Sequence, residues 1–145
     1  MEIQEIIKKW KGNKRYTLKF VQLVNEEQLA FKPVPGTKTY QSQLSHLTTW
    51  LRTHSRFVTE KELEKPKTRT QAEITQYLEE FFDEIIAFLE QTQVSELSEK
   101  VAMWYGTVSK TSILVTMDNH LSHHRGQLVV YLRLMGIKPP SYIGW

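Results

Sequence analysis

The residues of this chain best suited to hold a metal ion are its five histidines, at positions 46, 54, 120, 123 and 124. His120 and His124 stand four apart in the stretch NHLSHHRGQLVVYLRLMGIKPP, which runs from Asn119 to Pro140. On an α-helix, residues four apart differ by only about 40° around the axis, so both imidazoles project from one face and can converge on one point. Neutral imidazole is a common metal ligand, and H-x-x-x-H on a helix is the two-point half of many zinc sites. The glutamate of the H-E-x-x-H proteases is missing, because Leu121 stands in its place; that excludes the protease reading.

Two ligands do not complete a catalytic metal site, so a third must come from another segment. His46 is the best candidate, with Trp50 one helical turn beyond it. Three histidine ligands would leave coordination positions open for water or substrate, as catalytic sites do and closed structural sites do not. His123 lies about 60° around the helix from His120 and about 100° from His124, so it faces another helix or solvent. His54 falls on an apolar stripe and reads as a packing residue, and Met117, Trp50 and Trp104 read as core or pocket wall. An H-x-x-x-H pair also arises without any ligand role, so a closed or metal-free bundle stands as the alternative.

These positions must be delivered by helices. Ile3, Ile6, Ile7 and Trp10, then Leu18, Val21 and Val24, follow the apolar spacing of an amphipathic helix, weakly interrupted at Gly12 and Asn13. Asn25 and Gln28 have the shape of a capping box, and Pro33, Pro35 and Gly36 punctuate the loop that follows. A second helix starts near Thr39, with Tyr40, Leu44, Leu47, Leu51, His54 and Val58 on its stripe and His46, Trp50 and Phe57 on its flank. A capping box at Thr70 and Glu73 opens a third helix, which carries the cleanest pattern, from Ile74 to Leu89. Between about Val94 and Ser109 the periodicity lapses, and this segment reads as a long connection whose Met103, Trp104 and Tyr105 wall a pocket mouth. The fourth helix runs from about Lys110 to Met135, ended by Gly136 and Pro139-Pro140. Its stripe reads Ile113, Met117, His120, Leu121, His124, Leu128, Tyr131 and Met135, with histidines where a core-facing helix would carry leucines. No strand-length alternation stands out, so the expected architecture is an all-α four-helix bundle formed as one domain over residues 1–145.

Composition narrows the function classes. The 145 residues are 40% hydrophobic and 24% charged, which is globular composition. With no cysteine, a disulfide framework and a thiolate-ligated zinc site are excluded, and any thiol chemistry would use a thiol from outside the chain. No apolar run is long enough for a membrane span, and the N-terminus, with Glu2 and Glu5 ahead of its lysines, does not read as a signal peptide; a cytoplasmic protein without a membrane partner is expected. The net charge of +3 raises nucleic-acid binding, but Lys8, Lys9, Lys11, Lys14, Arg15 and Lys19 spread around a helix without interleaved stacking aromatics, so no nucleic-acid partner is expected.

Taken together, PVPGTKTYQSQLSHL, the block His120-x-x-x-His124-Arg125-Gly126-Gln127 and the trailing Gly136-x-x-Pro139-Pro140 resemble the DinB-like family of bacterial metal-dependent proteins over nearly the whole chain. The resemblance implies a four-helix bundle with a three-histidine metal site on His46, His120 and His124, and Arg125 and Gln127 as bracing residues. It also implies similarity to enzymes that join a low-molecular-weight thiol such as bacillithiol to a small electrophile, or to mycothiol-dependent isomerases, and it implies a homodimer. A divalent ion on three neutral imidazoles, whether zinc, nickel, iron or manganese, would favour thiolate formation for transfer or ionise water for hydrolysis. Both chemistries, and a non-enzymatic stress-response module with a structural or vestigial site, remain open at this point.

Overall fold

A computed structural model describes residues 1–142 of the chain. Helix α1 spans Ile3–Gln22, α2 spans Tyr40–Thr59, α3 spans Gln71–Glu90, the single turn α4 spans Val94–Leu97 and α5 spans Lys110–Leu134. α1 packs chiefly on α3 and α2 chiefly on α5, while α2–α3 and α1–α5 contacts close the four long helices into a bundle. No helix among the described residues is long and apolar enough to cross a membrane.

The helix starts follow local chemistry. Thr39, Thr70 and Ser109 each accept a hydrogen bond from the backbone N–H three residues on, at 3.0, 3.1 and 3.1 Å, which satisfies donors that a helix leaves open. Glu73 completes the capping box of α3. Asn25 and Gln28 bond reciprocally at 2.9 Å before a 3₁₀ turn over Gln28–Ala30. At the far end of α5, Gly136 takes φ 74°, a left-handed conformation that suits glycine, and the chain leaves toward Pro139.

The segment expected to be a long connection is ordered differently. After α4 it forms an antiparallel hairpin of β1, Lys100–Met103, and β2, Gly106–Ser109, with Lys100 opposite Ser109 and Met103 opposite Gly106. Four-residue strands are too short to display an alternation. The turn residues are Trp104 and Tyr105, where Asn-Gly or Asp-Gly is the usual signal, and the positive φ, 137°, falls on Gly106 instead. The hairpin is held down at its base by Lys110, whose buried ammonium lies 2.7 Å from Glu99 and 3.5 Å from Glu60 at the end of α2.

The core runs through all four long helices and includes the fully buried Trp10, Phe20, Tyr40, Leu47, Leu51, Phe81 and Phe82. One buried seam, between α1 and α5, is polar. Asn13 donates to Asp118 at 2.8 Å and accepts from Arg125 at 2.9 Å, Lys9 pairs with Asp118 at 2.7 Å, and the Arg125 guanidinium lies over the Tyr16 ring at 4.8 Å. α1 is therefore continuous through Asn13, which reads as an interruption in sequence but has its side chain satisfied across the interface. Arg125 thereby links α5 to Asn13 and Thr17 of α1.

Tyr40, fully buried, donates its hydroxyl to the Phe20 carbonyl at 2.6 Å and so ties the start of α2 to the end of α1. Tyr40→Phe leaves that carbonyl without its partner, and the unfolding free energy is expected to fall by about 1–3 kcal/mol in chemical denaturation, with an unchanged helical circular-dichroism spectrum.

Candidate metal centre

The candidate site lies where α2 faces α5. Helical spacing on α2 places Gln43, His46, Trp50 and His54 on successive turns, and α5 supplies His120 and His124 one turn apart. One ligand nitrogen from each of His46, His120 and His124 falls within 4.8 Å of the other two. Nε2 of His120 and Nε2 of His124 are 3.0 Å apart. Two nitrogens bound tetrahedrally to one zinc-like ion would stand roughly 3.3 Å apart, so the α5 pair is spaced for a shared ion. The trio that sequence spacing selects is thus brought together, and it could hold a metal ion.

The three rings are not equally shielded. His124 is buried, His120 half-buried and His46 exposed, so the cluster opens to solvent on the His46 side. The face of α5 that carries the pair therefore meets the edge of α2, short of the centre of the core. Trp50 lies flat against two of the histidines: its indole stacks on His120 at 3.9 Å and 10°, and on His54 at 3.5 Å and 18°. His54 is buried and its Nδ1 lies 2.9 Å from the Trp50 carbonyl, an oxygen that only accepts, so His54 donates there and serves packing as expected. Gln43 Oε1 lies 2.9 Å from Nδ1 of His124.

The remaining candidates sit outside the trio. His123 is exposed, with its ring 5.2 Å from that of His124 and 6.4 Å from that of His120. Gln127 reaches His123 at 3.3 Å. Trp104 and Tyr105 are exposed at the hairpin tip, and their rings approach His54 at 5.0 and 6.5 Å, so they border the Trp50–His54 stack. Met117 is core. Gln43 escapes a sequence reading because a glutamine one turn before a histidine is unremarkable; its i, i+3 relation to His46 is the only signal.

Electrostatics keep the cluster neutral. Burial, and then repulsion from the neighbouring histidines His124, His46, His123 and His54, lowers His120 to about 4. His124 is likewise lowered to about 4, first by burial and then by His46 and His123. His46 is lowered by burial and by the Lys38 ammonium. Neutral imidazoles keep the lone pairs that a metal needs.

The sign of the pH dependence follows. His120 and His124 titrate near 4 in the folded chain and near 6.5 when unfolded, so between those values the unfolded chain binds more protons and stability rises with pH. In metal-free protein the melting temperature is expected to drop as pH falls from about 6.5 toward 4. A His120→Asn/His124→Asn variant should show a flatter profile by calorimetry; an identical slope would contradict the shifts.

Comparison with known proteins agrees with this architecture. The family model described as "DinB family" matches residues 1–144. A crystal structure of a DinB-like protein from Bacillus cereus ATCC 10987 superposes with a TM-score of 0.85 at 21% identity, covering 97% of each chain. A DinB-like protein from Bacillus subtilis, YjoA, superposes with a TM-score of 0.74 at 17% identity, over 97% of this chain and 96% of that one. A protein ascribed to the DinB family from Exiguobacterium sibiricum 255-15 gives 0.72 at 21% identity, over 100% of this chain and 97% of that one. No curated protein matches the chain significantly. At these identities the solved structures speak for the fold, the match to the family model spans nearly the whole sequence, and the chain belongs to the DinB family.

Proposed function

We propose that the protein is a divalent-metal enzyme of the thiol S-transferase type, with His46, His120 and His124 as ligands and a small electrophile as substrate. The convergence of three neutral imidazoles with one solvent-facing side carries this reading. An ion held by neutral ligands keeps its full charge and would favour the thiolate form of a low-molecular-weight thiol, such as bacillithiol, entering from that side. The cysteine-free chain supplies no competing thiol of its own. Lys38, close enough to His46 and His124 to disfavour their protonation, adds positive charge that suits an anionic thiol. Trp50 holds the His120 ring flat, and Trp104 and Tyr105 extend an aromatic border outward for an apolar electrophile.

We also propose that the protein is a homodimer paired through α5. Gly126 sits mid-helix, where glycine costs about 1 kcal/mol relative to alanine, and a Cβ added there would meet nothing within the chain. Val130 and Leu134 follow on the same side and are exposed.

Two measurements check these readings. In cobalt-substituted protein, added cysteine or another small thiol is expected to bring a sulfur-to-cobalt charge-transfer band and shift the visible bands; an unresponsive spectrum would favour a module with a structural ion. Sedimentation equilibrium is expected to give a dimer that Gly126→Leu dissociates, whereas a monomeric parent would remove the dimer proposal.

A further inference from the structure

A run of hydrogen bonds, buried at Gln43 and part-buried at its far end, leads from the His124 ring to the backbone at Lys38. The Tyr131 hydroxyl donates to the Lys38 carbonyl at 2.8 Å, Gln43 Nε2 donates to the Tyr131 oxygen at 3.4 Å, and Gln43 Oε1 faces His124 Nδ1 at 2.9 Å. Gln43, Tyr131 and His124 are 7%, 6% and 5% exposed, so water does not stand in readily for any of them.

The direction of the run is forced. A carbonyl oxygen can only accept, so Tyr131 spends its one proton on Lys38 and offers only lone pairs to Gln43. Gln43 must then turn its NH₂ toward Tyr131 and its oxygen toward His124. An amide oxygen also only accepts, so the proton of neutral His124 must sit on Nδ1. Nε2 of His124 is left bare, facing Nε2 of His120 at 3.0 Å. That contact needs one proton between two nitrogens, and His120 supplies it in the metal-free site; His120 would have to carry its proton on Nδ1 instead before its own Nε2 could take an ion.

We infer that Gln43 and Tyr131 are positioning residues that hold His124 in the tautomer able to bind an ion through Nε2, Tyr131 acting through its hydrogen bond to Gln43. This inference rests on the reading that the histidine trio holds a metal. Without the Tyr131 hydroxyl the Gln43 amide is free to turn over. Its NH₂ would then donate to a bare Nδ1 and stabilise the tautomer whose Nε2 carries hydrogen and cannot coordinate.

The test compares the parent, Tyr131→Phe, Gln43→Glu and the double variant. Zinc affinity is measured by competition with a chromophoric chelator, and the imidazole tautomers of the metal-free proteins by ¹⁵N NMR. Tyr131→Phe, which keeps the ring, is expected to bind zinc about tenfold to a hundredfold more weakly and to show mixed His124 tautomers. Gln43→Glu presents only acceptor oxygens, so it is expected to hold Nδ1–H unaided, and Tyr131→Phe added to it should cost nothing further. An equal loss from Tyr131→Phe in both backgrounds, or unchanged affinity and tautomer in the single variant, would overturn the inference while leaving the metal site in place. A parent that binds no zinc would overturn the metal reading; the NMR of the parent then still decides, because an Nε2–H tautomer at His124 contradicts the chain and Nδ1–H supports it.

Discussion

Three imidazoles that share a few ångströms cannot readily carry more than one charge among them, and the packing of α5 on α2 works under that constraint. A second positive charge beside the first would be repelled with little water to screen it. The packing of α5 on α2 removes solvent from His124 and part of His120, and this burial, more than any single neighbour, drives their titration down to about 4. The same burial makes each ring nitrogen need a defined partner. Gln43 and His120 provide those partners for the two nitrogens of His124, while Trp50 covers the face of the His120 ring.

Holding α5 in the right place is a task for its other side. His124 turns toward α2 while the next residue, Arg125, turns toward α1 and binds Asn13, which also holds Asp118. A slide of α5 along α1 would break these buried polar contacts, each of which is costly to leave unmade, and would carry His120 and His124 away from His46. The polar seam therefore opposes that slide. The hairpin has a parallel arrangement: Lys110 pins its base to Glu60 and Glu99, and the tip brings Trp104 against His54.

Much of this was legible in the sequence because it rests on short-range periodicity. The four-residue spacing of His120 and His124 puts them on one face in any helix, and the Thr70–Glu73 box and Gly136 mark boundaries through local hydrogen bonding and backbone freedom. His46 was reachable because it flanks an apolar stripe beside Trp50. What stayed hidden depends on tertiary partners. Asn13 reads as a break because its partners Asp118 and Arg125 lie 105 and 112 residues away, and Gln43 has no meaning apart from Tyr131, 88 residues away. The hairpin was concealed by strands of four residues and a Trp-Tyr turn without the usual glycine signal.

His46, from α2, and the α5 pair are proposed to hold one ion between them. Elemental analysis of untagged protein, after loosely bound ions are removed, tests it most directly when run beside His46→Ala and His124→Ala. About one divalent ion per chain is expected in the parent, and its loss in both variants, as a shared site requires. A parent that is metal-free and takes up zinc, nickel and manganese no better than the variants would contradict it, and the histidines would then be hydrogen-bonding groups of the α2–α5 interface.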